Sequence, residues 1–204
     1  MDRGNVRSMR RPSLDAMTES TKTMRERMLA GELYIADDPV LGEESARAQS
    51  LAHRYNTMDP TDSAGRRAVM EELLGAFGED SEVRPPFHCD YGYNTTIGAR
   101  TFANWNLTSL DVARVTIGDD VQIGPNVQLL TATHPLDPDQ RRDKWEAAEP
   151  ITLENNVWLG GGVVVCPGVT IGENTVVGAG AVVTKDLPAN VVAVGSPARV
   201  IKEL

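Results

Sequence analysis

The chain has 204 residues, of which 41% are hydrophobic and 24% are charged, a composition typical of one domain or of one domain with a small appendage. Its net charge of −9 argues against a general nucleic-acid binder, because binding to phosphates needs a basic surface. No stretch approaches the ~18 consecutive apolar residues of a membrane-spanning helix, and the basic N-terminus is not followed by the apolar core of a signal peptide. Two cysteines are too few for a disulfide framework, so we expect a protein of the reducing cytoplasm without membrane or nucleic-acid partners.

The first 84 residues predict a leader and a small helical cap. Residues 1–17 are rich in arginine and lack apolar periodicity, so we expect a disordered leader there, followed by a helix-start pattern at 18–21. Apolar residues then recur at helical spacing in three groups, which are Met24, Met28 and Leu29, then Ala48, Leu51, Ala52 and Tyr55, then Val69, Met70, Leu73, Leu74 and Phe77. The pattern predicts about three short helices within residues 18–84, and Pro85-Pro86 ends them.

From residue 85 to residue 204 a six-residue repeat replaces the helical pattern. A branched aliphatic residue occupies every sixth position in two blocks, which are Ile117, Ile123 and Leu129, then Leu153, Leu159, Val165, Ile171, Val177 and Val183. The blocks stay in register across a polar loop at 135–149, whereas the spacing from Ile97 to Ile117 is not a multiple of six and marks a break. Three such units close one triangular coil, and stacked coils bury a continuous aliphatic column. The repeat therefore predicts a β-solenoid, since the strands of a sandwich would vary in length and spacing.

Several segments go beyond a general hexapeptide repeat and resemble one family. They lie at residues 28–34, 87–94, 102–106, 110–112, 131–136, 156–161, 167–172 and 195–201. Together they are similar to the maltose and galactoside O-acetyltransferase family, over about residues 24–204. The resemblance implies an all-β left-handed parallel β-helix with an N-terminal α-helical cap, assembled as a homotrimer. It also implies direct transfer of an acetyl group from acetyl-CoA to a sugar hydroxyl, with no metal required.

His134 is the predicted general base of this transfer. Acyl transfer to a hydroxyl needs a base for the hydroxyl proton and a donor for the developing oxyanion. His134 ends a coil and opens the longest polar interruption of the repeat, and an imidazole titrates near neutral pH. The alternative is a surface histidine in a loop. A zinc enzyme of the carbonic anhydrase type would need three coil histidines, whereas His53 lies on a predicted helix and His88 precedes the coils.

Four further residues are assigned to the site by the resemblance. Asn104 would orient the acetyl group or the base at the thioester end of the cofactor; its alternative is an asparagine ladder at a coil corner. Asp111 would bind acceptor hydroxyls, and its alternative is a corner aspartate that caps backbone amides. Tyr93 and Asp38 are weaker acceptor candidates, and each could equally be a surface residue.

The resemblance also places a coenzyme A groove along the coils. Its residues would be Asn104, Trp158, Gly161, Ala179, Thr184, Lys185, Arg199 and Lys202. The two small residues would let the pantetheine arm approach the backbone, and the three cations would form a basic end for the 3′-phosphate, unless they are ordinary solvated surface. Trp158 occupies an outward coil position, which suggests a wall of the groove or a contact between trimer subunits.

Some positions depart from the family pattern and leave other functions open. Glu154 stands where the family commonly has glycine, and the loop at 135–149 beside the acceptor pocket is unusually charged. Cys166 occupies a corner position, where packing rather than a covalent acetyl-cysteine route is expected. The alternatives are an enzyme of the same fold that acetylates an oligosaccharide or a non-sugar acceptor, and a catalytically silent solenoid that serves as a scaffold.

Overall fold

The computed structural model describes residues 22–204, so the expected leader at 1–17 and the helix-start pattern at 18–21 lie outside the described residues. Three helices form the cap, namely α1 (Met24–Leu29), α2 (Pro39–Thr57) and α3 (Ser63–Leu73). Each begins at a side chain that accepts hydrogen bonds from first-turn amides, and these caps are Thr23, Asp38 and Asp62. The predicted small helical cap is confirmed.

The rest of the described chain consists mainly of short strands. In chain order they are β1 (Tyr34–Ile35), β2 (Ala76–Phe77), β3 (Glu82–Val83), β4 (Phe87–Cys89), β5 (Thr95–Ile97), β6 (Phe102–Ala103), β7 (Leu107–Leu110), β8 (Val115–Ile117), β9 (Gln122–Ile123), β10 (Gln128–Leu130), β11 (Ala132–Thr133), β12 (Trp145–Ala148), β13 (Ile151–Leu153), β14 (Trp158–Leu159), β15 (Val164–Val165), β16 (Thr170–Ile171), β17 (Val176–Val177), β18 (Val182–Val183), β19 (Val191–Val194) and β20 (Arg199–Glu203). A short helix, α4 (Pro138–Arg142), lies between β11 and β12.

Three parallel sheets form the three faces of a prism. Face 1 contains β2, β5, β8, β13 and β16; face 2 contains β3, β6, β9, β14, β17 and β19; face 3 contains β4, β7, β10, β15 and β18. The antiparallel strand β20 extends face 2 beyond β19. The chain visits faces 1, 2 and 3 in turn and then starts the next coil, which is the topology of a parallel β-helix.

The six-residue repeat places its aliphatic residues in the core. Ile117, Leu153 and Ile171 are paired neighbours on face 1, and each is at most 2% exposed. The repeated positions on the other two faces are equally buried. The predicted β-solenoid is therefore confirmed. Ile97 pairs directly with Ile117 despite the irregular spacing, because the edge between faces 3 and 1 takes up the extra residues.

The first coil begins earlier than the sequence pattern suggests. Phe77, which was predicted to continue the third helix, lies in β2 and pairs with Ile97 on face 1. Val83 likewise pairs with Ala103 on face 2. The helix prediction for Phe77 is wrong, and the strand pairing of the coils starts at Ala76, ahead of the expected boundary at residue 85.

Side-chain hydrogen bonds support the edges of the prism. Asn156 donates to Asn174 and Asn174 donates to Asn190, each at 2.8 Å, and all three residues have a positive φ. Asparagine tolerates this left-handed conformation better than most residues, so the ladder stabilises a repeated turn. Glu154, at the position where the family commonly has glycine, accepts a 2.9 Å hydrogen bond from the backbone amide of Glu173.

A small antiparallel sheet joins the cap to the protruding loop. Strand β12 pairs with β11 on one side and with β1 of the cap on the other. The Tyr34 hydroxyl donates a 2.9 Å hydrogen bond to Glu146, and Lys144 forms an ion pair with Asp37. The loop is therefore fixed against the cap at one edge of the prism. Among residues 22–204 no helix is long and apolar enough to cross a membrane.

Candidate active site

The long connections of the solenoid share one edge, between faces 3 and 1. Successive coils pass this edge at residues 90–94, at 111–114, through the protruding loop at 131–150, and at 166–169 and 184–186. We call it the loop edge. The edge between faces 2 and 3 carries tight turns at 104–106, 124–126, 160–162 and 178–180, and we call it the small-residue edge.

His134 lies on the loop edge, directly after β11, and its side chain is exposed. It borders an outer cleft with a volume of about 240 Å³. The other residues of this cleft come from the cap and from the protruding loop, and they are Ala36, Asp37, Arg141, Lys144 and Glu146. An exposed imidazole in a concave, charged site can exchange a proton with a bound hydroxyl group.

An inner pocket adjoins this cleft and shares Ala36 and Glu146 with it. Its volume is about 470 Å³, in the range of small-molecule sites. The lining combines apolar walls with a few polar groups, and its residues are Tyr34, Ala36, Leu41, Gly42, Ser45, Ala46, Gln49, Asp90, Tyr91, Leu110, Val112, Ala132 and Glu146. The pocket is thus built by α2, the loop edge and the antiparallel sheet of β1, β12 and β11 together.

Asp90 is an acidic group in this pocket that the sequence prediction missed. Burial raises its pKa to about 6, and the negative charges of Asp111 and Glu146 add to the shift. Burial also raises the pKa of Tyr34, and the hydrogen bond to Glu146 raises it further. Asp90 lies within the motif at 87–94, but the motif alone does not show that its carboxyl group borders a cavity.

Asp111 is fully buried beneath the same edge. One of its oxygens accepts hydrogen bonds from the backbone amides of Asp90 and Tyr91 at 3.0 and 2.9 Å, and the other accepts one from the Thr95 hydroxyl at 3.1 Å. Burial raises the pKa of Asp111, and these hydrogen bonds oppose the increase. A side chain with 0% exposure has no access to an acceptor, so the geometry matches the alternative of a corner aspartate. The next residue, Val112, borders the pocket instead.

The two weaker acceptor candidates lie outside both cavities. The Tyr93 hydroxyl donates a 2.6 Å hydrogen bond to Glu44, and the Arg25 guanidinium lies 5.6 Å from the centre of the Tyr93 ring. Asp38 caps α2 by accepting from two backbone amides, whereas its neighbour Asp37 borders the outer cleft. Neither candidate is placed for direct contact with a molecule in the described cavities.

Asn104 lies on the small-residue edge, one face of the prism away from His134. Its side-chain oxygen accepts a 2.9 Å hydrogen bond from the Trp105 amide, and within residues 22–204 its NH₂ group has no hydrogen-bond partner. It does not belong to the ladder of Asn156, Asn174 and Asn190 on another edge, and the asparagine pair on its own edge is formed by Asn106, which donates to Asn126 at 3.0 Å. The amide is therefore free to donate to a ligand. One chain by itself does not bring Asn104 and His134 together.

The predicted coenzyme A residues fall into separate groups. Gly161 and Ala179 stack on the small-residue edge, and Arg199 pairs with Val194 near the end of the same edge. Thr184 and Lys185 lie on the loop edge. A third group, Trp158 and Lys202, points outward from face 2, where Trp158 is 56% exposed. Face 3 separates the first two groups.

The remaining candidates show no second reactive centre. Burial raises the pKa of the Cys89 thiol, which disfavours the thiolate, and half-buried Cys166 packs against the core. His53 and His88 are both exposed. Within residues 22–204 no group of three or more His, Cys, Asp or Glu side chains could hold a metal ion.

A capped parallel β-helix with a histidine at a cleft on its loop edge fits a hexapeptide-repeat acyltransferase, and the comparisons with known proteins support this class. Family models match at residues 27–78, described as the maltose acetyltransferase hexapeptide capping motif, and at 150–185, described as bacterial transferase hexapeptide (six repeats). Galactoside O-acetyltransferase of Escherichia coli K12 is 44% identical, with 89% of each chain covered. The chain belongs to the maltose and galactoside O-acetyltransferase family of hexapeptide-repeat acetyltransferases, as its sequence motifs predict.

Solved structures agree with this assignment. The crystal structure of a maltose O-acetyltransferase from Clostridium difficile 630 is 43% identical with a TM-score of 0.89, and the match covers 91% of this chain and 99% of that one. A galactoside acetyltransferase in complex with coenzyme A is 44% identical with a TM-score of 0.86, covering 89% and 91% of the two chains. The second structure shows that a relative with this fold and 44% sequence identity binds coenzyme A.

Proposed function

We propose that this protein transfers an acetyl group from acetyl-CoA to a hydroxyl of a sugar, with His134 as the general base. The observation that carries the proposal is the position of His134 on a cleft that adjoins the inner pocket. A sugar bound in the inner pocket could extend a hydroxyl toward the imidazole, because the two cavities share Ala36 and Glu146. The galactoside and maltose O-acetyltransferases among the relatives support a sugar acceptor.

The proposed reaction needs one proton relay. The acceptor oxygen attacks the carbonyl carbon of the thioester while His134 accepts the hydroxyl proton. The tetrahedral intermediate then collapses, its carbon–sulfur bond breaks, and the coenzyme A sulfur takes the proton from the imidazolium. The free NH₂ group of Asn104 would donate to the thioester oxygen, on which negative charge develops.

Two copies of the chain are required to bring these groups to one thioester. His134 and Asn104 lie on different edges of the prism, and the coenzyme A candidates are divided between the same two edges. We therefore propose the homotrimer implied by the resemblance, with acetyl-CoA between the loop edge of one subunit and the small-residue edge of the next. Trp105 and Trp158, 51% and 56% exposed, would be covered in part by the neighbour.

Mixed trimers test whether His134 and Asn104 of one site come from different subunits. His134→Ala and Asn104→Ala should each be nearly inactive. When equal amounts of the two variants are unfolded and refolded together, about one quarter of the wild-type activity should return. An intact site needs His134 from one subunit and Asn104 from its neighbour, and random assembly brings the two together at about one site in four. The measurement is thiol release from acetyl-CoA. Each variant refolded alone is the control. Mixed material that stays as inactive as the single variants would contradict a site shared between copies.

The reaction itself is tested by thiol release from acetyl-CoA across a panel of sugars. We expect release that depends on a sugar hydroxyl, together with one acetylated sugar per thiol by mass spectrometry. A protein that binds no coenzyme A in calorimetry and releases no thiol with any acceptor would instead be the silent scaffold. We place the reaction in the cytoplasm, where Cys89 and Cys166 would remain reduced.

A further inference from the structure

We propose that Leu136 of one subunit packs against Trp105 of the next subunit, and that this contact keeps water away from the thioester. The inference rests on the proposed function, because it assumes the trimer in which His134 and Asn104 meet. It adds a specific apolar contact between copies of this chain and gives that contact a role in the reaction.

Leu136 is the most exposed large hydrophobic side chain among residues 22–204, with 90% of its surface accessible. It lies two residues after His134, at the start of the protruding loop. Single exposed apolar residues are common on protein surfaces, so this exposure alone does not indicate a contact. The structure around the residue provides the further evidence.

The backbone that carries Leu136 is held in place on both sides. The Arg141 side chain donates to the carbonyl groups of Pro135 and Leu136 at 2.9 and 3.3 Å. Asp137 caps α4 by accepting from two amides of its first turn, and Pro138 begins that helix. A leucine on an ordered turn loses little conformational freedom when a partner covers it, so Leu136 is suited to anchor an interface.

Trp105 offers a matching apolar surface on the small-residue edge. Its indole is 51% exposed, and the Arg84 guanidinium lies over the ring at 4.9 Å from its centre. The backbone of Trp105 is fixed as well, because its amide donates to the Asn104 side chain and its carbonyl accepts from the Asn126 amide at 2.8 Å. The ring is therefore presented in a defined place directly beside Asn104.

The symmetry of a closed trimer brings these two side chains to similar heights. Two edges that run along the prism can face each other only if the trimer axis is parallel to the prism, and rotation then leaves every coil at its own height. Trp105 follows β6 in the second coil, and Leu136 follows β10 and β11 in the third coil. Adjacent coils are about 4.8 Å apart, and the loop lies on the cap side of its coil because β12 pairs with β1.

The contact would border the reacting groups. Leu136 is two residues from the proposed base His134, and Trp105 directly follows the proposed donor Asn104. Much of the outer cleft beside His134 is lined by charged side chains, which attract water. Water that reached the thioester carbon would hydrolyse acetyl-CoA to acetate and the free thiol. An apolar cover that excludes water prevents this side reaction, so that thiol release stays coupled to transfer.

A disulfide cross-link tests the contact. In the double variant Leu136→Cys/Trp105→Cys, oxidation with diamide should link the subunits into covalent trimers on a non-reducing gel. Leu204→Cys/Trp105→Cys is the matched control, because Leu204 is 61% exposed but lies just beyond β20, five strand spacings or about 24 Å from β6 along face 2. This control should remain uncross-linked.

The outcomes separate the contact from the trimer. A protein that is trimeric by light scattering but forms no disulfide in Leu136→Cys/Trp105→Cys would overturn the contact and leave the proposed function intact. A protein that is monomeric by light scattering would refute the proposed trimer and the contact together.

The stoichiometry of the reaction tests the role of the contact. In Leu136→Asp the number of thiols released per acetylated sugar should rise above one, because water competes with the sugar for the acetyl group. Leu136→Ala should show a smaller rise, and Leu204→Asp should keep the wild-type ratio. A ratio that stays at one in both Leu136 variants would exclude a role in shielding the thioester. No thiol release by the wild-type protein with any sugar would instead count against the proposed function.

Discussion

Replacing His134 with alanine is expected to lower kcat/KM for acetyl transfer to a sugar by about 100- to 10,000-fold, the range of a general base. His134 is the first basic residue of the protruding loop, and its side chain is exposed. Without the imidazole, only water would be left to accept the proton of the acceptor hydroxyl. Coenzyme A binding should persist, because none of the proposed cofactor residues is changed. Thiol release and calorimetric binding of coenzyme A, measured on the same preparation, separate the two effects.

The comparison needs a histidine that has no part in the site. His53 is exposed on α2, away from both cavities, so His53→Ala should retain wild-type kcat/KM. Transfer to any hydroxyl acceptor that survives His134→Ala undiminished would refute the mechanism.

Replacing Asp111 with alanine should cost about 2 kcal/mol or more in the free energy of unfolding. Each buried donor left without an acceptor costs about 1–3 kcal/mol, and the change strands the backbone amides of Asp90 and Tyr91. The Thr95 hydroxyl keeps the Ser109 hydroxyl as a partner. The effect on activity would be indirect, through the loss of order in the pocket wall at Asp90. Chemical denaturation measures the loss of stability, and the protein concentration is held fixed because association of the proposed trimer would also contribute to the midpoint.

An exposed aspartate supplies the matched control. Asp139 forms an ion pair with Arg142 on α4, with both side chains more than 70% exposed, so Asp139→Ala should cost about 1 kcal/mol or less. If both alanine variants shift the denaturation midpoint equally, burial at the loop edge does not distinguish Asp111. Rescue by Asp111→Asn should be partial, since an amide keeps only one accepting oxygen.

The solenoid could be predicted because its core needs an aliphatic residue at a regular spacing along the chain. One branched aliphatic must enter the core on each face, and Leu153, Leu159 and Val165 show this directly at a spacing of six. The start of the first coil could not be predicted in the same way. Phe77 follows Leu74 at a spacing that suits a helix, and a strand of two residues such as β2 is too short to reveal an alternation.

The candidate site was predictable only where the chain itself interrupts the repeat. His134 stands at such an interruption, so its position was visible in the sequence. The inner pocket was not, because Tyr34 and Glu146 meet through the pairing of β1 with β12 although they lie 112 residues apart. For Asp111 the sequence allowed two roles. Its full burial favours the corner role, and the spacing of residues in a sequence does not report burial.

The sheet of β1, β12 and β11 makes the cap and the protruding loop one structural unit. Much of the inner pocket wall comes from the cap and the loop, whereas the coils supply a stacking frame whose pairing does not depend on the acceptor. Because β12 lies between β1 and β11, transplanting the loop alone would leave β1 facing a foreign strand. A chimaera that is meant to change the acceptor should therefore exchange the cap and the loop together.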